Sequence, residues 1–470
     1  MKPYDWQITK IIAPLVRVFE RENTAILAVD TGLGKTPTAL WVAQKLGLTP
    51  FVISPQATLA DWYETSKILG IPIITAINIE KLRYSSSEHL IRKGRSYTWQ
   101  LDPNKLLLIF DEGHQFTGRE SLSAEVLAAT RKWVNIRGVA QQYMPKVLIM
   151  SATLADSPIK LGDAVGSVLG LHNRKSWDWL LQHGCYIDRY KKPAFPTGKG
   201  RLPHLKRLHE ELFPKYGVAL KHTDVPEFPK NQLFTELCEL SAKDTREVQK
   251  LYDEYGSKEH ELENEILEIK DKIKTTDSKR EKAELEFLLR TKHGTKYLRA
   301  CQKSEIAKVP QFIERAECFI AEGISPVIGT WFRPTLDAIL DKMEKKHSPA
   351  VIRGGQSGAE RTEAMRRFRA DETRLCLVNI RAGGTGTNLN DIHGNFPRVT
   401  LSSPCPSVQD FVQFLGRIVR ANNAEPDRVV LQYLLIAKGT IEEQIAARLE
   451  IKRTNITAIT DASFWGEGKE

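Results

Sequence analysis

Several short runs, far apart in the chain, have the residue types and spacing that phosphate chemistry needs. The run Val29-Asp30-Thr31-Gly32-Leu33-Gly34-Lys35-Thr36 follows an apolar stretch and precedes a helical pattern. A strand, a glycine turn and a helix can close backbone N–H groups around an anion, and the helix N-terminus adds partial positive charge. Lys35 would reach the β- and γ-phosphates, and the Thr36 hydroxyl would bind Mg²⁺. The run predicts a nucleotide site, although Val29 stands where the usual pattern has glycine.

Two further apolar runs end in polar residues. The run 105–110 is followed by Asp111-Glu112-Gly113-His114, and the run 146–150 is followed by Ser151-Ala152-Thr153. In an open α/β sheet, ligands collect at the carboxyl ends of the strands. There Asp111 could hold Mg²⁺, usually through water, and Glu112 could act as general base on an attacking water. A helix N-cap is the structural alternative for this pair, and its position behind a phosphate loop favours the chemical role.

The second half of the chain contains a glycine-rich run and an arginine pair. The run 381–389 follows an apolar stretch, and its glycines allow close backbone approach to phosphates, with a plain tight turn as the alternative. Arg417 and Arg420 lie three apart in a helical pattern and would project from one helical face. Neighbouring arginines repel each other unless an anion or carboxylates neutralise them, and a γ-phosphate is a suitable anion. A pair of surface arginines is the alternative.

The elements that must position these residues alternate along the chain. Short apolar runs alternate with helical patterns in both halves, which favours mostly parallel sheets covered on both faces. The middle, 239–303, is rich in Glu, Lys and Leu. Its apolar positions 262, 266, 269 and 273 have coiled-coil spacing, and a capping box at 278–281 marks a second helix. We expect a protruding helical hairpin there, whose protein partner the sequence does not identify.

The composition excludes some classes of protein. A chain of 470 residues with 41% hydrophobic and 27% charged residues is globular and large enough for two or three domains. No run is long and apolar enough for a membrane span, and no secretory signal opens the chain, so we expect a cytoplasmic protein, or a nuclear one if its source is eukaryotic. Its six cysteines are scattered and form neither a disulfide framework nor a zinc motif. The net charge of +10 favours nucleic acid as partner, with a merely basic surface as the alternative.

Taken in order, these runs resemble the motifs of superfamily 2 helicases and translocases, the DExH proteins. The matching runs are 30–36 (motif I), 111–114 (motif II), 151–153 (motif III), 381–389 (motif V) and 413–420 (motif VI). Gln7 resembles the glutamine that recognises adenine in this family. Runs at 54–62, 354–368, 380–386 and 438–445 are most similar to the Swi/Snf-type group. Motif III (Ser-Ala-Thr) and motif VI (Gly-Arg-Ile-Val-Arg) have the general DExH form instead.

The resemblance implies an α/β fold of two tandem RecA-like lobes with an inserted helical hairpin. We expect the first lobe with a connecting segment at 1–235, the insertion at 236–308 and the second lobe at 309–470. The implied cofactors are ATP and Mg²⁺, with Thr36 and Asp111 at the metal. The implied catalytic residues are Lys35, Asp111, Glu112, Arg417 and Arg420. The implied nucleotide-binding residues are Gln7, Gly32, Gly34, Lys35, Thr36, Gly386 and Gln413. The residues implied in nucleic-acid contact or coupling are Ser54, Pro55, His114, Ser151, Thr153, Gly383, Gly384 and Thr385.

Three functions are compatible with these residues. The favoured one is a monomeric, Swi/Snf-like motor that moves on double-stranded DNA in replication, repair or recombination. The second is a strand-separating helicase on RNA or single-stranded DNA. The third is an ATP-gated clamp on nucleic acid without productive turnover. Glu112 and the two arginines argue against the clamp, because hydrolysis would need them and mere clamping would not.

Overall fold

The chain forms two six-stranded sheets, and every strand pairing within them is parallel. The structure is a computed structural model. It describes residues 2–84, 88–93, 96–116, 122–134, 144–162, 165–171, 177–188, 192–225, 228–256, 295–383, 388–404, 407–420, 423–425 and 427–460. The two sheets confirm the predicted α/β class with two RecA-like lobes.

The first sheet has the strand order β10-β1-β7-β6-β2-β3. Its strands are β1 Thr24–Val29, β2 Thr49–Ile53, β3 Thr75–Ile77, β6 Leu106–Phe110, β7 Lys146–Met150 and β10 Gly217–Leu220. Two hairpins lie beside it, β4 Leu90–Lys93 with β5 Ser96–Trp99 and β8 Tyr186–Ile187 with β9 Pro193–Ala194. All residues of β1 and β6 are buried, as continuous apolar runs in a covered parallel sheet should be.

Helices cover this sheet on both faces. Those before β6 are Asp5–Gln7, a π-helical turn Ile8–Ile12, Ala13–Arg21, Lys35–Leu46, Leu59–Leu69 and Ile79–Tyr84. Those after β6 are Leu122–Val134, Pro158–Gly162, Val165–Val168, Trp177–Gln182 and Leu202–Leu212. Short 3₁₀ turns lie at Gln56–Thr58, Gly113–Phe116, Lys199–Arg201 and His222–Asp224. Every described helix is too short or too polar to cross a membrane.

The second sheet has the order β11-β16-β15-β12-β14-β13. Its strands are β11 Asn231–Cys238, β12 Ser325–Thr330, β13 Ala350–Ile352, β14 Cys376–Asn379, β15 Arg398–Ser402 and β16 Val430–Ala437. Its helices are Val309–Ala321, Arg333–His347, Gly358–Arg369, Ile380–Gly383, Val408–Leu415 and Ile441–Thr460. The expected boundary between 235 and 236 falls inside β11, so we propose that the second lobe begins with this strand.

The insertion is described only at its two ends. The helices Ala242–Gly256 and Thr295–Ala307 pack against each other beside the second sheet. The predicted coiled-coil positions 262–273 and the capping box at 278–281 lie outside the described residues. A coiled-coil hairpin therefore stays a prediction.

The lobes also meet through the last helix, Ile441–Thr460, which belongs to the second lobe. It packs on Leu202–Leu212 of the first lobe. Arg201 Nε donates to Asn455 Oδ1 at 2.6 Å, and Asn455 Nδ2 donates to the Asp156 carbonyl at 3.0 Å. Both Arg201 and Asn455 are buried, so these bonds hold the lobes together away from solvent.

Candidate active site

The phosphate loop lies between β1 and the helix Lys35–Leu46, as the sequence predicts. Gly32 and Gly34 have φ values of +88° and +76°, which L side chains rarely adopt. A Cβ on Gly34 would lie 2.7 Å from Nε2 of Gln7. Glycine is thus required at position 34 by the left-handed backbone conformation and by the closeness of the Gln7 side chain.

Gln7 is held against this loop. Its side chain is buried, its Nε2 donates to the Leu33 carbonyl at 3.1 Å, and its Oε1 accepts from the Tyr4 amide at 3.0 Å. The Tyr4 and Trp6 rings stack at 5.9 Å and line the same cavity as the loop. The N-terminal segment therefore carries an aromatic pair beside the phosphate loop. Recognition of adenine by Gln7 stays a prediction.

The Asp111 carboxylate is fixed by three donors at the end of β6. Oδ2 accepts from Ser54 Oγ at 2.7 Å and Trp62 Nε1 at 3.1 Å, and Oδ1 accepts from the Glu112 amide at 2.9 Å. Burial and the neighbouring Glu112 carboxylate raise the pKa of Asp111. A cation such as Mg²⁺ would favour its ionised form. Ser54, which was expected to contact nucleic acid, is itself buried and orients Asp111.

Glu112 connects the two lobes. Its backbone is left-handed, with φ of +52°, a conformation that costs energy for a non-glycine residue. Oε2 accepts from Gln413 Nε2 of the second lobe at 3.0 Å and lies 3.3 Å from His114 Nδ1. Burial alone would raise the pKa of Glu112, but His114, Lys35 and Arg417 hold it at about 2. Glu112 is therefore ionised and aimed across the cleft.

His114 extends this contact to the end of β7. Its Nδ1 lies 3.2 Å from Ser151 Oγ, and Ser151 Oγ accepts from the Thr153 amide at 3.1 Å. Its Nε2 lies 3.5 Å from Nε2 of Gln413. The runs 111–114, 151–153 and 413–420 are thus joined by one series of contacts, which begins at Glu112.

Lys35 begins the helix behind the loop. Its Nζ donates to the carbonyl oxygens of Val29, at 3.0 Å, and Asp30, at 3.4 Å. Burial lowers the pKa of Lys35, and the Glu112 and Asp111 carboxylates partly offset that shift. Bound phosphates would act in the same direction as these carboxylates and favour the charged ammonium.

Arg417 and Arg420 reach the cleft, but not from a helix. The helix Val408–Leu415 ends before them, so the prediction of a shared helical face is wrong. The chain turns at Gly416, where a Cβ would lie only 1.8 Å from Oγ1 of Thr31 in the phosphate loop. The close approach of the two lobes thus requires glycine at the turn that follows the helix.

The arginine pair is strongly desolvated. Burial lowers the pKa of Arg417 to about 10, against the fields of Glu112 and Asp61. Burial, together with repulsion from Arg417, lowers the pKa of Arg420 to about 9. The Arg420 Nε is a buried donor with no hydrogen-bond acceptor. A bound anion would satisfy this donor and restore the favourable environment of both guanidinium groups.

A cavity of 1070 Å³ connects these groups. The first lobe contributes Gln7, the loop 31–36, Asp61, Glu64, Asp111 and Glu112, and the second contributes Met365, Arg366, Arg369, Asn388, Arg417 and Arg420. The volume is large enough for a nucleoside triphosphate. A glycine-containing loop, a lysine, a hydroxyl group and a carboxylate are the groups that would bind ATP with Mg²⁺. Thr36 and Asp111 are the candidates to hold the metal.

The positions of the other predicted site residues do not test their predicted roles. Pro55 precedes the 3₁₀ turn Gln56–Thr58, and Gly383 ends the helix Ile380–Gly383. Gly384, Thr385 and Gly386 lie outside the described residues. Their roles stay predictions, as do the roles in nucleic-acid contact and coupling of Ser54, His114, Ser151 and Thr153.

Some cleft residues were missed from the sequence. Asp61 and Arg369 line the cavity, and Trp62 orients Asp111. Trp62 lies in the run 54–62, but nothing in that run indicates that its indole donates to Asp111. The neighbouring Asp61 could have been found from the same run, had its acidic character been compared with the arginine pair.

The known proteins to which this chain is similar are helicases. The family described as "Helicase conserved C-terminal domain" matches residues 307–422. A putative ATP-dependent RNA helicase, L364, of Acanthamoeba polyphaga mimivirus is 24% identical over 489 aligned residues, which cover 98% of this chain and 83% of that protein.

Two solved structures are similar to this chain. Saccharomyces cerevisiae Dbp5 bound to RNA and ADP–BeF₃ matches with a TM-score of 0.50 and 9% identity, over 97% of this chain and 94% of that one. The helicase domain of Pyrococcus furiosus Hef matches with a TM-score of 0.48 and 14% identity, over 95% of this chain and all of that one. At 9% identity the Dbp5 match supports the fold alone.

Proposed function

We propose that the chain is a superfamily 2 helicase that hydrolyses ATP to move along, or separate, strands of RNA. A helicase family model matches residues 307–422, and the mimivirus relative aligns with nearly the whole chain. The observation that carries the ATPase part is the bond between Gln413 and Glu112. It places a candidate catalytic carboxylate of the first lobe against the segment of the second lobe that bears Arg417 and Arg420. The same lobe contact thus supports a shared role in hydrolysis for Glu112, Arg417 and Arg420.

The proposed chemistry divides between the lobes. The loop amides and Lys35 bind the β- and γ-phosphates, and Thr36 and Asp111 hold Mg²⁺, which supplies charge neutralisation when bound. Glu112 accepts the hydrogen bond of the attacking water and orients it. Arg417 and Arg420 stabilise the charge that develops on the transferred phosphate. Opening and closing of the lobes would convert this cycle into steps along the nucleic acid.

RNA is proposed as the track for two reasons. The relative from mimivirus, which matches nearly the whole chain, is described as a putative RNA helicase. The similarity to Swi/Snf-type proteins, which favoured double-stranded DNA, was drawn from four runs, and one of them, 438–445, has a structural explanation here. Glu442 in that run is buried and pairs with the buried Lys308, so its presence follows from packing of the lobe.

The test compares tracks under one condition. ATPase rates of the purified protein are measured with single-stranded RNA, duplex RNA, single-stranded DNA and duplex DNA at equal nucleotide concentration and fixed salt, because backbone contacts are salt-dependent. We expect the strongest stimulation by RNA. Stimulation by duplex DNA alone would replace this proposal with a DNA translocase. Tight ATP-dependent RNA binding without turnover would replace it with a clamp.

A further inference from the structure

The phosphate loop is tied to the connection between the lobes, a contact that the ATPase chemistry above does not use. Strands β1 and β10 are parallel neighbours, with Val29 paired to Leu220 at their carboxyl ends. The next residues, Asp30 and Lys221, therefore leave the sheet side by side. Asp30 opens the phosphate loop, and Lys221 opens the segment that leads to β11 in the second sheet.

Asp30 is bound on both carboxylate oxygens by that segment. Oδ1 lies 3.1 Å from Lys221 Nζ, and Oδ2 accepts from the His222 amide at 3.1 Å, with His222 Nδ1 3.6 Å away. The three side chains are 12 to 20% exposed. A carboxylate beside a phosphate site would repel the phosphates. The Lys221 ammonium offsets the charge of Asp30, and together with the His222 amide it directs the carboxylate toward the connecting segment.

The same segment also holds the loop backbone and the N-terminal helix. His222 Nε2 lies 2.7 Å from the Thr31 carbonyl, and since a carbonyl can only accept, Nε2 carries the proton. The His222 ring stacks on Phe228 at 4.0 Å, and Lys10 Nζ donates to the Asp224 carbonyl. The connecting segment is thus fastened to the nucleotide side of the first lobe.

The opposite side of the loop touches the second lobe. Thr31 packs on Gly416, and a Cβ on Gly32 would lie 2.8 Å from the Val419 carbonyl. Residues 30–32 therefore contact the connecting segment on one side and the arginine-bearing turn on the other. A change in the loop on nucleotide binding would therefore act on both of these segments.

From this arrangement we infer that Asp30, Lys221 and His222 form a clasp that transmits the state of the phosphate loop to the connection between the lobes. Asp30 is a positioning residue in this scheme: it acts through the segment 221–225 and does not contact the reacting atoms. For its effect on turnover the inference rests on the proposed function. Breaking the clasp should leave nucleotide binding nearly intact and uncouple binding from the response of the connecting segment.

The experiment measures amide hydrogen exchange across 221–225 with and without ADP–beryllium fluoride and Mg²⁺. In the wild-type protein the analogue should slow exchange about 10-fold, because it stabilises the charge-assisted bonds of the clasp. Asp30→Asn and Lys221→Met should lose this protection, while calorimetry shows nearly unchanged affinity for the analogue. Lys221→Arg, which keeps the charge, should retain it. Lys206→Met, at an exposed lysine of the helix Leu202–Leu212, is the control.

A kinetic readout separates the clasp from a merely structural role. Asp30→Asn should lower kcat about 10-fold with little change in the KM for ATP, and the double variant Asp30→Asn/Lys221→Met should be no worse than either single variant. Equal protection in wild type and Asp30→Asn, or none in wild type, overturns the clasp. Protection in wild type without stimulation of the ATPase by any nucleic acid overturns the proposed function and leaves the clasp standing.

Discussion

Among the residues that the structure describes, we compare two clusters of buried or partly buried polar and charged groups, which differ in what their polar atoms face. The cleft cluster consists of Lys35, Asp111, Glu112, Arg417 and Arg420. The lobe-two core cluster consists of Glu305, Lys308, Ser403 and Glu442, and it does not line the cleft cavity. Asp111, Glu112 and Arg417 of the cleft and all four core residues are nearly excluded from water. In each cluster a carboxyl group, Glu112 or Glu305, has a shifted pKa.

Hydrogen bonding separates the two clusters. Lys308 uses its three donors on Ser403 Oγ at 2.6 Å, the Leu435 carbonyl at 2.7 Å and the Glu442 carboxylate. The cleft cluster instead faces a cavity, and Arg420 keeps a buried donor without an acceptor. Burial and a shifted pKa are thus shared by structural and functional groups. The cleft cluster differs from the core cluster because it retains a buried donor whose hydrogen bond a ligand could supply.

The largest expected effect tests the cleft cluster. Lys35→Ala should lower ATPase kcat at least about 10³-fold, because it removes a charge that stabilises the transferred phosphate. Its thermal unfolding should stay close to wild type, since Lys35 bonds only to loop carbonyls within the described contacts. Lys45→Ala, an exposed lysine on the same helix, is the control. Undiminished ATPase in Lys35→Ala would refute the site.

The lobe-two core cluster should respond in the opposite way. Lys308→Met should lower the free energy of unfolding by about 3–5 kcal/mol, because it leaves the Glu442 carboxylate buried without its cation. The ATPase rate per folded molecule should be preserved. The double variant Lys308→Met/Glu442→Gln should recover much of the stability, since the glutamine oxygen can still accept from the Ala437 amide. Loss of turnover without loss of stability would remove the distinction between the clusters.

A pH experiment sharpens the same distinction. Burial raises the pKa of Glu305 to about 7, although the Trp331 and Phe332 amides donate to it. The fold favours the protonated form, so this contribution to stability is complete below the ordinary pKa and is lost as pH rises through about 7. The loss amounts to roughly 3 kcal/mol. Denaturant unfolding of wild type and Glu305→Gln should therefore diverge between pH 4.5 and pH 8, with wild type losing relative stability.

A difference between the two proteins that does not change with pH would show that the Glu305 carboxyl is not the group that titrates. The ATPase rates of the folded proteins serve as control, because Glu305 does not line the cleft cavity.

Local sequence patterns predicted the phosphate loop and the acidic pair, but not the contacts between distant parts of the chain. The phosphate loop and the acidic pair follow from local spacing, since each lies where a strand ends. The helical placement of Arg417 and Arg420 was wrong because the helix ends at Leu415. The requirement for glycine at 416 comes from Thr31, in the other lobe, which local sequence cannot reveal. The contact of Lys221 with Asp30 spans 191 positions and depends on the pairing of β1 with β10, which local periodicity cannot reveal.

The lobe contact itself can be broken with one methyl group. Gly416→Ala would place a Cβ 1.8 Å from Thr31 Oγ1 and 2.9 Å from Thr31 Cβ, and a β-branched side chain cannot rotate both atoms away. The arginine-bearing turn must then move outward, and a displacement of about 1 Å at reacting groups costs on the order of 10²-fold in rate. Gly358→Ala is the matched control, because its Cβ would meet nothing within 4 Å. If both variants keep wild-type kcat, the closed contact between Gly416 and Thr31 is not the arrangement in which ATP is hydrolysed, and the cleft cluster must assemble in another one.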